Sequence, residues 1–398
     1  VWGVSLEPSN AKPNPLWKAL SLSLGAAVAL GFARFAYALL LPAMRQDLGW
    51  NYTLAGGMNT ANAAGYLLGS LLAAPCMARL GVRRSFTVSI FLTALALLAC
   101  GFSQSYTILL LLRLLAGASG AVVFIGGGAL AAQMASHTPG QSATVLGVYF
   151  AGAGIGIFLS GLGLPALLGS DVRFWTQAWI LLGAASLVAW WVARNAANSV
   201  EEPPKPASGA AGALRWGPLV PTMVAYFFFA LGYIAYMTFV VAFVRTQGAG
   251  TGFISLFWAV LGMAAVGGPR VWGARIQRSP DGSALSTVLL TLTVGAVLPL
   301  VSGFPPLMLV SAALFGASFL SVVTSITSLT RRFFPPSAWP LGIAVMTVVF
   351  AAGQTLGPLL SGALSDSAGG LRLGLGLSAG VLLVGAAVAR LQPPPRDG

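Results

Sequence analysis

Ala151-Gly152-Ala153-Gly154-Ile155-Gly156-Ile157-Phe158-Leu159-Ser160-Gly161 and Ala352-Gly353-Gln354-Thr355-Leu356-Gly357-Pro358-Leu359-Leu360-Ser361-Gly362 are two copies of one pattern, 201 residues apart. Gly152 and Gly156, like Gly353 and Gly357, stand one helical turn from each other within apolar flanks. In apolar helices that spacing lets backbones approach closely. Two further matches keep nearly the same offset. Gly117-Ala118-Ser119 lies over Gly316-Ala317-Ser318 at 199, and Gly31-Phe32-Ala33-Arg34-Phe35 over Gly232-Tyr233-Ile234-Ala235-Tyr236 at 201. The chain reads as an internal duplication whose copies share one orientation, the parallel kind of repeat.

Composition identifies the solvent. Only 7% of the 398 residues are Asp, Glu, Lys or Arg, 57% are apolar, and mean hydropathy is +0.85. Soluble domains carry about 25% charged residues. In water such a chain would expose large apolar patches. A soluble enzyme, a nucleic-acid binder and a disordered chain are excluded on this ground, which leaves a multi-span membrane protein. The basic excess, 21 Lys plus Arg against 8 Asp plus Glu, needs no nucleic-acid partner. Cationic residues hold loops on the cytoplasmic side of a membrane.

A spanning helix needs about 20 mainly apolar residues. Hydropathy broken at Gly, Pro and charge gives twelve spans: 18–43, 53–77, 84–102, 106–132, 142–167, 172–194, 216–244, 252–274, 284–303, 306–331, 338–364 and 370–390. The first is too long for a signal-peptide core and reads as a retained span. The stretch containing Glu201-Glu202, Pro203-Pro204-Lys205-Pro206 and Ser208-Gly209-Ala210-Ala211-Gly212 cannot span. The expected organisation is an N-terminal six-helix bundle over 1–194, a cytoplasmic linker over 195–215 and a C-terminal six-helix bundle over 216–398. The fold class is an all-α polytopic membrane protein made of two pseudo-symmetric bundles. With the N-terminus inside, inner segments hold 15 of the Lys and Arg residues and outer segments hold 4, namely Arg45, Arg173, Arg245 and Arg372. The bias places both termini in the cytoplasm. Two bundles on a linker can rock about a mid-membrane site and so work by alternating access.

Two arginines fall inside spans. Arg34 lies about 24 Å of helix beyond Lys18, and no carboxylate lies in the body of any span. A central Arg costs at least about 2.5–3.5 kcal/mol on insertion scales. The reading is that Arg34 binds an anionic group of the substrate, a carboxylate, by bidentate hydrogen bonds, with Tyr37 one turn away. Bonding to helix carbonyls or snorkelling is the competing account. Arg113 is read as electrostatic or structural, because a guanidinium does not readily lose its proton. Asn59, Asn62 and Tyr66 share a face of span 2, and Tyr226, Tyr233, Tyr236 and Met237 form a stripe on span 7. Ser318, Ser321, Ser325 and Ser328 run along span 10, and Gln354 sits in the glycine run of span 11. The expected substrate-binding set is Arg34, Tyr37, Asn59, Asn62, Arg113, Tyr233, Tyr236 and Gln354. Helix packing is the alternative for each. Gly117, Gly120, Gly152, Gly156, Gly353, Gly357 and Pro358 are expected to serve packing and motion. Neither metal nor cofactor is expected, since His137 alone lacks the ligand count. No Ser/His/Asp set or phosphate-cradling loop marks an enzyme. Asp366 is expected to cap or to pair with Arg372.

The whole pattern resembles the major facilitator superfamily of secondary transporters. Arg113-Leu-Leu-Ala-Gly117-Ala-Ser-Gly120 is similar to that family's fourth-span motif. Ala78-Arg79-Leu80-Gly81-Val82-Arg83-Arg84 resembles its loop motif Asp-Arg-x-Gly-Arg-Arg, with Ala78 in place of the aspartate and of the ion-pair latch that aspartate makes. Arg79, Gly81 and Arg83 are therefore expected to serve conformational change. Gly357-Pro358 resembles an antiporter signature, but in span 11 rather than span 5. A narrower likeness, to the YbfB/YjiJ-like bacterial group, rests on Gly31-Phe-Ala-Arg34-Phe-Ala-Tyr37-Ala-Leu-Leu-Leu-Pro42-Ala-Met-Arg45, on Asn59-Thr-Ala-Asn62-Ala-Ala-Gly65-Tyr66-Leu-Leu-Gly69 and on Gly232-Tyr233-Ile-Ala-Tyr236-Met-Thr238-Phe239. It implies a carrier of the bacterial inner membrane, and the wider superfamily resemblance implies a monomer. The functional expectation is a secondary transporter of a small organic anion. An exporter of amphipathic compounds is the rival, and a non-transporting membrane sensor or scaffold is the reading of a different class. Proton relays use intramembrane Asp, Glu or His. With none here, a proton carried with the anion, anion exchange and uncoupled movement all stay open.

Overall fold

The computed structural model describes residues 15–203, 216–335 and 338–395. Its helices include twelve that are long and apolar enough to cross a membrane. They are α1 (Pro15–Asp47), α2 (Tyr52–Leu80), α3 (Val82–Cys100), α4 (Tyr106–Ser136), α5 (Ser142–Leu168) and α6 (Val172–Asn198). The second bundle holds α7 (Gly217–Thr246), α8 (Thr251–Arg278), α9 (Ser283–Val301), α10 (Pro305–Phe333), α11 (Leu341–Ser365) and α12 (Gly370–Ala389). No strand occurs among the described residues. Each helix ends within four residues of its expected span. Several run past the apolar stretch into polar residues, as at Gln133–Ser136 and Arg275–Arg278, where backbone bonding outlasts the hydrocarbon. Residues 204–215, the greater part of the expected linker, lie outside the described residues.

The repeat is a packing repeat. A carbonyl oxygen sits where a Cβ on each of these glycines would go. Gly117 of α4 presses on the Asn62 carbonyl of α2, and Gly316 of α10 on the Leu261 carbonyl of α8. Gly69 meets the Ala118 carbonyl, and Gly268 the Ala317 carbonyl. Both members of each pair differ by 199, the offset of the sequence match. In the same way Gly152 and Gly156 of α5 rest on Ser23 and Ala27 of α1, while Gly353 and Gly357 of α11 rest on Phe227 and Leu231 of α7. Gly120 lies less tightly against Ala29. Small residues are needed here because dispersion between closely approaching backbones drives association in lipid.

This packing places α1 and α7 at the centres of the bundles, with 94% and 89% of their most apolar windows buried. Elsewhere large apolar side chains such as Leu68, Leu71, Leu72 and Val271 face outward, as lipid allows. The two bundles meet along α2–α11 and α5–α8. Gly56 abuts the Pro358 carbonyl, Gly362 the Tyr52 carbonyl, and Gly154 and Gly262 face each other. Thr251 lies against Gly169 and Trp258 against Gly161. Apart from the mid-helix Gly154–Gly262 contact, these joints crowd one end of the molecule, the end of the short loops at 48–51 and 247–250. Asp366, just past α11, also ties the bundles there. Its carboxylate accepts from the amides of Tyr52 (2.7 Å) and Thr53 (2.9 Å) and from the Thr53 hydroxyl (2.6 Å). Arg372, the partner anticipated for it, instead donates to the Leu300 carbonyl.

At the opposite end Gly81, with φ of +82°, makes the turn between α2 and α3. A side chain there would be strained. Ala78 offers no carboxylate, but Glu202 supplies one from beyond α6. It accepts from the Arg83 guanidinium at 2.7 Å and from the Val82 amide at the start of α3. Burial pushes the Glu202 carboxyl up, but Arg83 and the two helix-start amides outweigh it and hold it below the usual glutamate range. Arg79 is exposed beside this turn.

Candidate functional site

Arg34 is brought to the bundle interface by an irregular turn. Residues Ala27–Phe35 of α1 wind as a π-helix, closed by the Ala36 amide on the Gly31 carbonyl at 2.8 Å. A π turn takes up an extra residue and re-aims the side chains that follow. Arg34 is buried. Its Nε donates to Asn62 Oδ1 of α2 at 3.2 Å, and its Nη1 donates across the interface to Gln354 Oε1 of α11 at 2.6 Å. The guanidinium lies 4.3 Å over the Tyr66 ring. The Tyr233 hydroxyl of α7 also donates to Gln354 Oε1, at 2.8 Å. Arg34 Nη2 and Gln354 Nε2 have no hydrogen-bond partner among the described residues.

Arg113 belongs to a second, fully satisfied network. It donates through Nη1 to the Ala33 carbonyl, through Nη2 to Asn59 Oδ1 at 2.8 Å and through Nε to the Met58 carbonyl at 3.4 Å. Tyr37 and Trp179 each offer it a ring face. Asn59 turns its amide to Thr238 of the other bundle at 2.8 Å, and Asn62 turns its own to the Arg113 carbonyl at 3.2 Å. Asn62 thus joins the two arginines, while Asn59 joins Arg113 to Thr238. Both asparagines therefore bond neighbouring helices, the packing alternative to substrate contact.

Of the expected set, Arg34, Asn62, Tyr233 and Gln354 converge on one junction, with Arg113 and Asn59 one layer behind. Tyr37 goes elsewhere. The π turn separates it from Arg34, so it stacks on Trp179 with centroids 6.4 Å apart and donates to the Ala55 carbonyl at 2.7 Å. Tyr236 also turns away, bonding Ser311 at 2.8 Å and stacking on Phe315 at 4.0 Å. Ser321 and Ser325 bond carbonyls of their own helix, whereas Ser318 Oγ is buried without a partner among the described residues. Sequence reasoning passed over Thr238 and, in the aromatic ladder beside Gln354, Phe229 and Phe350. Phe350 lies parallel to Tyr226 (4.9 Å), Tyr233 (5.7 Å) and Phe229 (6.0 Å). The signal available was position, since Phe350 stands one helical turn before Gln354.

Two six-helix repeats meeting at a buried, cationic, amide-rich junction define a membrane transporter of the major facilitator type. The family model described as "Uncharacterised MFS-type transporter YbfB" matches residues 26–390, and the chain belongs to that family. A gallate transporter of Pseudomonas putida is 28% identical over 190 residues, which are 46% of this chain and 41% of that protein. This chain therefore aligns with less than half the length of that relative. Among solved structures, a bacterial homologue of the human lysosomal transporter Spinster, inward-facing and occupied, superposes with a TM-score of 0.72 at 16% identity. The match covers 94% of this chain and 96% of that one. The nucleoside transporter NupG superposes with a TM-score of 0.71 at 13% identity, covering 94% and 98%. Both likenesses speak to the fold.

Proposed function

We propose that the protein carries a small organic anion, a carboxylate, across the bacterial inner membrane by alternating access at the Arg34–Gln354 junction. The observation that carries this reading is the pair of unpartnered donors, Arg34 Nη2 and Gln354 Nε2, contributed by opposite bundles. A buried donor without a partner costs about 1–3 kcal/mol. Two such donors beside an uncompensated guanidinium call for an acceptor with negative charge. A carboxylate spanning both would neutralise the arginine and link the bundles. The gallate transporter among the relatives handles such a molecule, an aromatic carboxylate. The Phe350 ladder offers a flat apolar surface for its ring.

The basic loop bias supports cytoplasmic termini, with 1–194 and 216–398 as the moving bundles about the 195–215 linker. The joints at the Tyr52–Gly362 end then close the outer face, and the opposite end is the one left to open. The ladder taken alone favours the rival, an exporter of amphipathic compounds. A sensor would bind without flux.

The test is uptake into proteoliposomes of benzoate-type anions, their uncharged amides and lipophilic cations, with Arg34→Gln alongside. One charge-assisted bond is worth about 1.5–3 kcal/mol, so anion uptake falls about 10- to 100-fold in the variant. Equal anion uptake by a folded Arg34→Gln sinks the proposal. Flux of cations alone transfers the case to the exporter, and binding without flux to the sensor. Imposed pH gradients separate proton co-transport from exchange.

A further inference from the structure

At the basic end of the first bundle, α3 and α6 enclose two adjoining pockets that share no residue with the Arg34–Gln354 junction. One, of about 400 Å³, is lined by Arg83, Arg84, Arg194, Asn198 and Glu202. The other, of about 260 Å³, shares Arg84, Thr87 and Arg194 with it and continues along Val88, Phe91 and Trp190. Glu202 is already engaged by Arg83 and by the start of α3. Arg84 and Arg194 are not so engaged. Neither guanidinium hydrogen-bonds a described residue, and Arg194 only lies over the Trp190 ring at 5.4 Å. Both are exposed. The site therefore presents two uncompensated cations.

Its polarity changes in one direction. Phe91 stands seven positions after Arg84, about 10 Å along α3. The zone between hydrocarbon and water is roughly 5–7 Å thick on each side. The arginines thus stand at headgroup level when Val88, Phe91 and Trp190 reach the hydrocarbon. Val88 and Phe91 are exposed, 43% and 37%, along this groove. We infer that this α3–α6 site binds an anionic phospholipid, with the phosphodiester between Arg84 and Arg194 and an acyl chain along Val88, Phe91 and Trp190. Charge complementarity selects the anionic headgroup, and the apolar continuation selects a lipid over a soluble phosphate. Basic pockets between spans on the cytoplasmic side recognise such headgroups.

The experiment is thermal unfolding and native mass spectrometry of the full chain in detergent. Phosphatidylglycerol, phosphatidylethanolamine and inorganic phosphate are titrated separately against wild type and the double variant Arg84→Gln, Arg194→Gln. Without lipid the double variant should unfold at the wild-type temperature, because both side chains are exposed and unbonded. Phosphatidylglycerol should stabilise wild type more than phosphatidylethanolamine does, and the double variant should bind it about 10- to 30-fold more weakly. A second variant, Val88→Trp, should weaken phosphatidylglycerol by filling the chain groove while leaving the charge of both arginines unchanged. Equal binding of both lipids, or unchanged phosphatidylglycerol binding by the double variant, overturns the inference. Stabilisation by inorganic phosphate equal to that by phosphatidylglycerol overturns it in favour of a soluble anion.

Discussion

Asp366→Asn should loosen the crowded end of the molecule. The Asp366 carboxylate receives two amides at the start of α2 and the Thr53 hydroxyl, so one side chain of the second bundle caps a helix of the first. Asparagine keeps one acceptor oxygen and loses the charge. A hydrogen bond to a charged group is worth about 1.5–3 kcal/mol, and a negative charge at a helix start adds about 0.3–1 kcal/mol at an exposed site. The exposed setting and the retained oxygen put the loss near 2 kcal/mol, or about 30-fold in a two-state equilibrium. If the cap exists only while this end is closed, the open population rises by that factor. Pulsed spin-label distances would read it, with Gln104→Cys and Gly303→Cys in a Cys76→Ala, Cys100→Ala background. The variant should add a longer distance, and Thr53→Val a smaller share of it. Acidity gives an independent check. Burial pushes the Asp366 carboxyl up, but Thr53, the two amides and Arg45 hold it below the ordinary range. A carboxyl that ionises lower when folded contributes fully above about pH 3.9 and loses its contribution as pH falls through the lowered value. Wild type should therefore keep the short distance from pH 8 to 5 and approach the variant only in stronger acid. Identical distance distributions for wild type and Asp366→Asn would refute the clamp.

Two further expectations concern stability. Arg113→Gln should destabilise the detergent-solubilised protein by about 3 kcal/mol or more, because it strands Ala33 and Met58 carbonyls and Asn59 in a buried site. Thermal unfolding checks this, and Arg34→Gln, whose site is only partly bonded, should cost less. Gly65→Ala should lower the unfolding temperature sharply, since its added methyl would strike the Leu114 carbonyl, whereas Gly163→Ala, which meets nothing within 4 Å, should leave it unchanged. Equal effects would show that the α2–α4 contact is looser than drawn.

The glycine repeat was legible because close packing in lipid demands small residues at fixed steps, and those steps survive in the chain as an offset of 199 to 201. Arg34, Asn62, Tyr233 and Gln354 were legible as polar groups in apolar spans, where any such group is costly. The clamp at Asp366 was not. A carboxylate just past a span looks the same whether it caps its own helix, pairs with Arg372 or crosses to the other bundle. Nor could the separation of Tyr37 from Arg34 be read, since three residues apart is one face in an α-helix and the π turn is invisible to that count.

What the sequence by itself determined, then, is the solvent, the span count and the duplication, because hydropathy and small-residue spacing are local properties of the chain. Which polar groups meet is a different kind of fact. Arg34 and Gln354 are 320 residues apart and touch only because α1 and α11 are rotated to present those faces at the bundle interface. That rotation is decided by the glycine contacts of α5 on α1 and of α11 on α7, together with the π turn in α1. Only the tertiary structure therefore distinguished the arginine with an unpartnered nitrogen, Arg34, from the one whose bonds are complete, Arg113.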